Sequence, residues 1–143
     1  MQIRATAFNN KENIPDKYTC DGEDINPALK IEQIPTNTKS LVLIVEDPDA
    51  QGGNWTHWLV YNIEPNKIIG ENTAPGTQGL NSWGINRYRG PCPPTKTKHR
   101  YYFNIYALDT TLNLAPGSRK QEVIDAMQNH IIDEGALLGY YER

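Results

Sequence analysis

The residues best suited to proton transfer or anion binding stand at the ends of three apolar segments. Asp47 closes the segment that contains the aliphatic run Leu41–Val45, and His57 opens the next segment. His99 and Tyr101 open a third segment, two positions apart, so in a strand their side chains share one face. If these segments are neighbouring strands, a carboxylate, two histidines and a phenol converge.

A stiff loop precedes the third segment. Its sequence at positions 90–94 is Gly-Pro-Cys-Pro-Pro, and because proline has no N–H, only Gly90 and Cys92 can donate backbone hydrogen bonds there. Backbone amides, histidine N–H groups and a tyrosine hydroxyl are donors that suit a phosphate group. The prolines fix the direction of the two amides and lower the ordering cost of binding. The combination predicts an anion pocket with this loop as one wall.

A carboxylate in an anion pocket requires an explanation, because at roughly 4 Å two like charges repel by about 4 kcal/mol at intermediate dielectric. Asp47 could hold His57 or His99 protonated, share a proton with a monoanionic phosphate, or contact the ammonium of an ethanolamine head group. The first arrangement is favoured here. It predicts that phosphate binding tightens as pH falls from about 8 to about 6, following histidine titration.

Other interpretations of the same residues stay open. The segment 47–49, Asp-Pro-Asp, forms turns on its own, and histidines at strand ends are commonly surface residues. His57, His99, Cys92 and Asp47 are also zinc-ligand types, although their spacing matches no short zinc pattern. Hydrolysis is disfavoured, because the sequence has no Gly-x-Ser-x-Gly motif and no serine beside a histidine.

Composition argues against several functional classes. With 143 residues, 38% of them hydrophobic and 22% charged, the chain fits one globular domain over 1–143. A net charge of −3, without a lysine–arginine run longer than a pair, argues against nucleic-acid binding. The longest aliphatic run has five residues, far fewer than the roughly 20 that a membrane span needs.

The N-terminal segment Met1–Pro15 lacks the apolar core of a signal peptide, which predicts a cytoplasmic protein. In that reducing compartment Cys20 and Cys92 are expected to be free thiols, with a bridge between them as the alternative that sequence alone leaves open. Nothing in the sequence indicates a cofactor or a resident metal.

Strand-like patterns dominate the chain. Six segments are predicted as strands: Gln2–Phe8, Leu29–Ile34, Leu41–Val45, His57–Ile63, His99–Asp109 and Ala136–Arg143. The uninterrupted aliphatic run Leu41–Val45 predicts a strand that is buried on both faces. Five of the ten prolines and five of the eleven glycines fall in Glu64–His99, which is predicted to be irregular. A loop of this length in a compact domain is commonly functional.

One helix is predicted within Ser118–Gly135. Ser118 is its expected N-cap, Gln121 completes a capping box and Gly135 is the expected stop. An apolar stripe follows from the spacing of Val123, Ile124, Met127 and Ile131. Many strands with one or two helices predict a mainly β protein, a sandwich.

Two stretches carry a family resemblance, "LVLIVEDPDAQGGNWTHWLVYNI" and "GPCPPTKTKHRYYFNIYALD". The order of an Asp-Pro-Asp-Ala motif, a His-Trp strand, a Gly-x-x-Pro-Pro loop and a His-Arg-Tyr-x-Phe strand resembles the phosphatidylethanolamine-binding protein family, also called Raf kinase inhibitor-like proteins. The short bacterial and archaeal branch is the most similar. The segments "YTCDGEDINPAL", "SWGINRYRGPCPP" and "LLGYYER" extend the similarity along the chain.

The resemblance implies a Greek-key β-sandwich with one or two peripheral helices and a small pocket for phosphate or a phosphorylated head group. The pocket residues it implies are Asp47, Pro48, His57, Gly90, Cys92, Pro93, His99 and Tyr101, none of them catalytic. Thr56 replaces the first histidine of the mammalian pair, and Cys92 replaces a glycine. The long C-terminal helix of mammalian members has no counterpart, which implies a more open pocket or one shaped by a second subunit.

The function implied is non-enzymatic binding of a phosphate or phospholipid head group, with regulation of kinase signalling through a protein partner. Inhibition of a serine protease through a surface loop is the alternative. The short branch is also compatible with a homodimer.

Overall fold

Two β-sheets and a helix build the chain in the computed structural model, which describes residues 1–66 and 68–143. Lys67, inside the region predicted to be irregular, lies outside the described residues. In chain order the elements are β1 (Gln2–Ala5), β2 (Glu12–Asn13), a 3-10 turn (Asp16–Tyr18), β3 (Leu29–Glu32), β4 (Ser40–Asp47), β5 (Trp55–Ile63), β6 (Ile68–Ile69), β7 (Thr77–Gln78), β8 (Lys98–Leu108), α1 (Lys120–Met127) and β9 (Ile131–Glu142).

The strands divide into a small and a large sheet. The small sheet has the order β1-β3-β6 and the large one β2-β9-β8-β4-β5-β7. β4 pairs antiparallel with both β5 and β8. The three segments that carry the candidate site residues are therefore adjacent strands, which brings the ends that carry those residues together.

The central strand β4 is buried on both faces. Alternate side chains of Leu41–Val45 pack with Ile3 and Ile31 of the small sheet, and the others pack with Val123 and Met127 of α1. The small sheet and the helix thus cover opposite faces of the large sheet. This double burial confirms the prediction made from the uninterrupted aliphatic run.

The helix begins later than predicted. Its N-cap is Arg119, whose backbone N–H donates to the side chain of Glu122 at 3.0 Å. The hydroxyl of Ser118 instead donates to the Ala115 carbonyl at 2.8 Å, within the preceding turn. The Ser118–Gln121 capping box is therefore wrong by one residue, because the serine is used to build the turn before the helix.

The helix also ends earlier than predicted. Asn129 has φ 67°, a left-handed conformation that asparagine tolerates, and it turns the chain into β9. Ile131 and Gly135 are strand residues, so the predicted stripe and stop are wrong there. At Gly135 a Cβ would lie 2.7 Å from the Met1 carbonyl oxygen, which explains the glycine by close approach. Pairing of β9 with β8 decides this region.

Candidate ligand-binding pocket

The pocket forms where the last residue of β4 meets the first residues of β5 and β8. Tyr102 of β8 and Thr56 of β5 both lie opposite Glu46, the residue before Asp47. Antiparallel pairing on both sides of β4 therefore brings Asp47 beside the residues that open its two neighbours. The position of the site follows from the strand order.

A β-bulge directs His57 into this place. Val45 lies opposite Trp58 and Glu46 opposite Thr56, so His57 is the extra residue between two paired positions. A bulge bends its strand and re-aims the extra side chain, and bulges are frequent beside functional sites.

Residues 82–89, within the long proline- and glycine-rich region, lie beside the start of β5. Ser82 N–H donates to the Thr56 carbonyl at 2.9 Å, and Arg89 N–H donates to the His57 carbonyl at 3.2 Å. These bonds place Trp83, which lies between them in sequence, against the His57 ring with centroids 4.9 Å apart. The long irregular segment thus supplies a wall of the pocket.

The strand ends and the loops enclose a cavity of about 250 Å³. Its lining residues are Asp47, Ala50, Gln51, Trp55, His57, Trp83, Cys92, Pro93, Pro94, His99 and Tyr101. Six of the eight residues implied by the family resemblance are among them. Pro48, in the exposed turn after β4, and the buried Gly90 are not.

Asp47 is the centre of the polar network. Its Oδ2 lies 2.7 Å from His99 Nδ1, and its Oδ1 accepts a hydrogen bond from Asp49 N–H at 2.7 Å. The carboxylate is nearly inaccessible to solvent. Because an ionised carboxylate accepts but does not donate, His99 carries a proton on Nδ1, and Nε2 is its second polar atom. Asp47 therefore orients the His99 ring, and both of its carboxylate oxygens accept hydrogen bonds, one from His99 and one from the Asp49 amide.

The hydrogen bond and the pKa of His57 both differ from the favoured prediction, in which Asp47 keeps the ring protonated. Its Nδ1 lies 2.7 Å from the Arg89 carbonyl oxygen, which can only accept, so the Nδ1 proton is fixed and Nε2 is the acceptor of the neutral ring. Burial lowers the pKa of His57 below its usual value, against the opposing effects of the Arg89 carbonyl and Asp47. Asp47 does act to raise the pKa of His57, but burial outweighs it, so the expectation that Asp47 holds His57 protonated is wrong, while the alternative with His99 stays a prediction.

Tyr101 remains a hydroxyl donor. Burial raises the pKa of Tyr101 well above its usual range, and the nearby carboxylate of Asp47, to which it also hydrogen-bonds, adds to this effect. Its ring packs edge-on against His57 with centroids 5.3 Å apart. Tyr101 thus supports both the carboxylate and the histidine.

Gly90 serves the loop rather than the cavity. Its amide, predicted to face an anion, donates to Asp24 Oδ1 at 2.7 Å. A Cβ at this position would lie 2.1 Å from the Tyr18 carbonyl oxygen, so glycine is required by close backbone approach. Among the described residues the Cys92 amide has no hydrogen-bond acceptor, which makes it the loop donor left for a ligand.

The two cysteines form a disulfide. Cys20 and Cys92 are bonded across 72 residues, with Cα atoms 5.5 Å apart, so the free-thiol prediction is wrong. The Cys20 amide also donates to the Pro91 carbonyl at 3.1 Å. The zinc alternative needed a Cys92 thiolate, and that sulfur is occupied; within residues 1–66 and 68–143 no group of three or more potential ligands could hold a metal.

Sequence reasoning missed an aromatic and cationic rim. Trp55 and Trp83 meet edge to face with centroids 5.5 Å apart, and the guanidinium of Arg89 lies 4.9 Å from the Trp83 ring centroid. The only sequence signal was the density of aromatic residues in a region expected to be irregular.

A β-sandwich with a small pocket at the ends of its central strands, lined by apolar and aromatic side chains and a few ionisable ones, is the architecture of a ligand-binding protein. The sequence profile described as phosphatidylethanolamine-binding protein matches residues 4–142. This chain belongs to that family.

Relatives and solved structures agree with this assignment. A UPF0098 protein of Methanothermobacter thermautotrophicus is 45% identical, with coverage of 100% of this chain and 99% of that protein. One from Pyrococcus horikoshii is 50% identical over 97% of this chain and 75% of its own length.

Two crystal structures confirm the mainly β sandwich. A Chlamydia trachomatis structure described as a phosphatidylethanolamine-binding protein homolog matches with TM-score 0.95 and 44% identity, covering 99% of this chain and 97% of its own. Escherichia coli YbcL, described as a member of the mammalian family, matches with TM-score 0.91 and 26% identity, covering 99% and 98%. Over the described residues, no helix has the length and apolar character to cross a membrane.

Proposed function

We propose that this protein is a non-enzymatic binding protein whose pocket takes phosphate or a phosphorylated head group. The observation that carries the proposal is the pair of the buried Asp47 and the largely covered His99 at the cavity, with nitrogen and oxygen 2.7 Å apart. A histidine that donates from Nδ1 to a carboxylate can, when doubly protonated, donate from Nε2 to a phosphate oxygen. Asp47 then acts as the counter-ion of this donor.

The rest of the cavity suits a small charged ligand. The Cys92 amide supplies a neutral donor, and Arg89 supplies a positive charge at the rim. The ring of Trp55, which also lines the cavity, can accept an ammonium group such as that of ethanolamine. A volume of about 250 Å³ suits a head group better than a drug-sized ligand, for which about 300 Å³ or more is usual.

The lining residues favour binding over catalysis. They include neither serine nor threonine, and their one cysteine sulfur is in a disulfide. A covalent mechanism would need an activated nucleophile beside a base. His57 and His99 both pack against the Tyr101 ring, but no serine, threonine or free thiol lines the described cavity to serve as the nucleophile.

Titration with phosphorylethanolamine, followed by amide NMR, tests the proposal. We expect shifts centred on His57, His99 and Cys92, weaker shifts with inorganic phosphate, and little change with ethanolamine alone. Phosphorus NMR of the same samples should show no hydrolysis over a day. Binding of ethanolamine as tight as that of phosphorylethanolamine, or release of phosphate, would contradict the proposal.

A cytoplasmic location and a regulatory protein partner, such as a kinase, belong to the same proposal. The disulfide does not decide the location, because disulfides occur in oxidising compartments and also in intracellular proteins of hyperthermophiles. Cell fractionation with immediate alkylation of thiols tests it. Recovery of the protein outside the cytoplasmic fraction would overturn this part.

A further inference from the structure

The Cys20–Cys92 disulfide lies in the wall of the pocket and both of its residues are exposed to solvent. We propose that it is a redox-active site: a dithiol reduces it in the folded protein, and the reduced protein binds phosphate more weakly. This inference rests on the proposed function, because it regulates the same pocket.

Accessibility supports the first part. Thiol–disulfide exchange requires a thiolate to reach one sulfur, and exposed disulfides are the labile and regulatory ones. Here a dithiol thiolate would attack one sulfur, break the S–S bond and form a mixed disulfide. Its second thiolate would then displace the protein sulfur. The dithiol leaves as a disulfide, and both cysteines become thiols after uptake of two electrons and two protons.

The second part follows from how the loop is anchored. On the N-terminal side, Gly90 N–H donates to Asp24, and the Pro91 carbonyl accepts from Cys20 N–H. On the C-terminal side, Lys96 N–H donates to the Arg143 carbonyl at 2.6 Å. Between these anchors, for residues 92–95, no hydrogen bond reaches the rest of the described chain beyond the local turn from Pro94 to Thr97. The prolines stiffen the segment itself and Pro93 is buried, whereas the disulfide is the bond that ties this part of the wall to the rest of the described chain.

Cys92 is also the residue whose amide remains for a ligand. Once the bridge is broken, the segment 92–95 gains freedom to move relative to the rest of the pocket, and ligand binding must remove this freedom again. Re-ordering the backbone of one residue corresponds to a loss of about tenfold in affinity. Since the sequence holds two cysteines, a reductant has no other protein target.

The experiment compares oxidised protein, protein reduced with dithiothreitol, and the Cys20→Ser/Cys92→Ser double variant. Free thiols are counted without denaturant, phosphate affinity is measured by titration, and circular dichroism melts report the fold. We expect two thiols per reduced chain, a folded reduced protein and about tenfold weaker phosphate binding. The double variant should bind like the reduced protein and should not respond to dithiothreitol.

The outcomes separate this inference from the proposed function. If oxidised protein does not bind phosphate, the proposed function fails. If oxidised and reduced proteins bind equally, only the redox inference fails. Reduction that requires denaturant, or a reduced protein that unfolds at the assay temperature, also overturns the inference, because the bridge would then be a structural staple.

Discussion

The two ends of β8 carry the same chemical pair in opposite surroundings. Near its start, His99 Nδ1 lies 2.7 Å from Asp47; beyond its end, His130 Nδ1 lies 2.8 Å from Asp109. The side chains of the first pair are 13% and 5% exposed, whereas both side chains of the second are 44% exposed. Geometry alone does not distinguish them.

The difference shows that burial gives the pocket pair its energetic weight. Charges in water are screened, and exposed ion pairs contribute about 0–1 kcal/mol. In a buried site the same interaction is stronger, and removing one partner leaves an uncompensated group. A histidine–carboxylate distance therefore identifies a candidate site only together with the cavity around it.

The largest effect is expected for Asp47→Asn. The substitution removes the charge and replaces one of the two acceptor oxygens with an NH2 donor, which faces an N–H of His99 or of Asp49. The free energy of unfolding should therefore fall by about 3 kcal/mol. Phosphate affinity should fall more than about tenfold, because His99 loses its counter-ion. Urea denaturation and phosphate titration measure both quantities.

Asp109→Asn is the matched control for Asp47→Asn. It should change the free energy of unfolding by about 0.5 kcal/mol and leave phosphate affinity unchanged. Equal losses in the two variants would contradict the role assigned to burial.

The next effect concerns the ligand alone. His99→Gln should weaken phosphate binding roughly tenfold, the loss expected for one charge-assisted hydrogen bond. His130→Gln, at the other end of β8, should bind phosphate like the unchanged protein. Isothermal titration calorimetry on both variants checks this, and an unaffected His99→Gln would remove that residue from the site.

A smaller, pH-dependent effect is expected from His57. Burial lowers the pKa of His57, so the free ring is neutral, whereas a bound anion favours its charged form. Binding then takes up a proton. Affinity should therefore rise as the pH falls from about 6.5 toward the lowered pKa of the free His57 ring. Sulfate is the probe, because its own charge does not change between about pH 5 and pH 8. A flat profile, or the same slope in His57→Gln, would contradict this linkage.

The smallest effect is expected for Asp49→Asn. The Arg100 guanidinium lowers the pKa of Asp49 through hydrogen bonds of 2.8 and 3.0 Å, but this pair is partly exposed. Thermal unfolding should shift by only a few degrees, and phosphate affinity should change less than about twofold. A loss as large as that of Asp47→Asn would show that the two carboxylates act as one unit.

Local patterns predicted a large share of the fold and of the site. The uninterrupted run Leu41–Val45 predicted a strand buried on both faces, because every position carries an aliphatic side chain. The alternation that placed His99 and Tyr101 on one face held, because both line the cavity. The ends of the helix were misjudged, because turn bonds of Ser118 and pairing of β9 prevailed over local spacing.

The sequence by itself determined which residue types stand at the strand ends, where the prolines remove backbone donors, and to which family the motifs are similar. Only the tertiary structure decided their partners. The strand register puts a bulge at His57, and the Asp47 carboxylate hydrogen-bonds to His99. The Gly90 amide donates to Asp24, and Cys20 forms a disulfide with Cys92. The reason is physical: these contacts join residues 52 to 72 positions apart or depend on strand register, which local spacing does not encode.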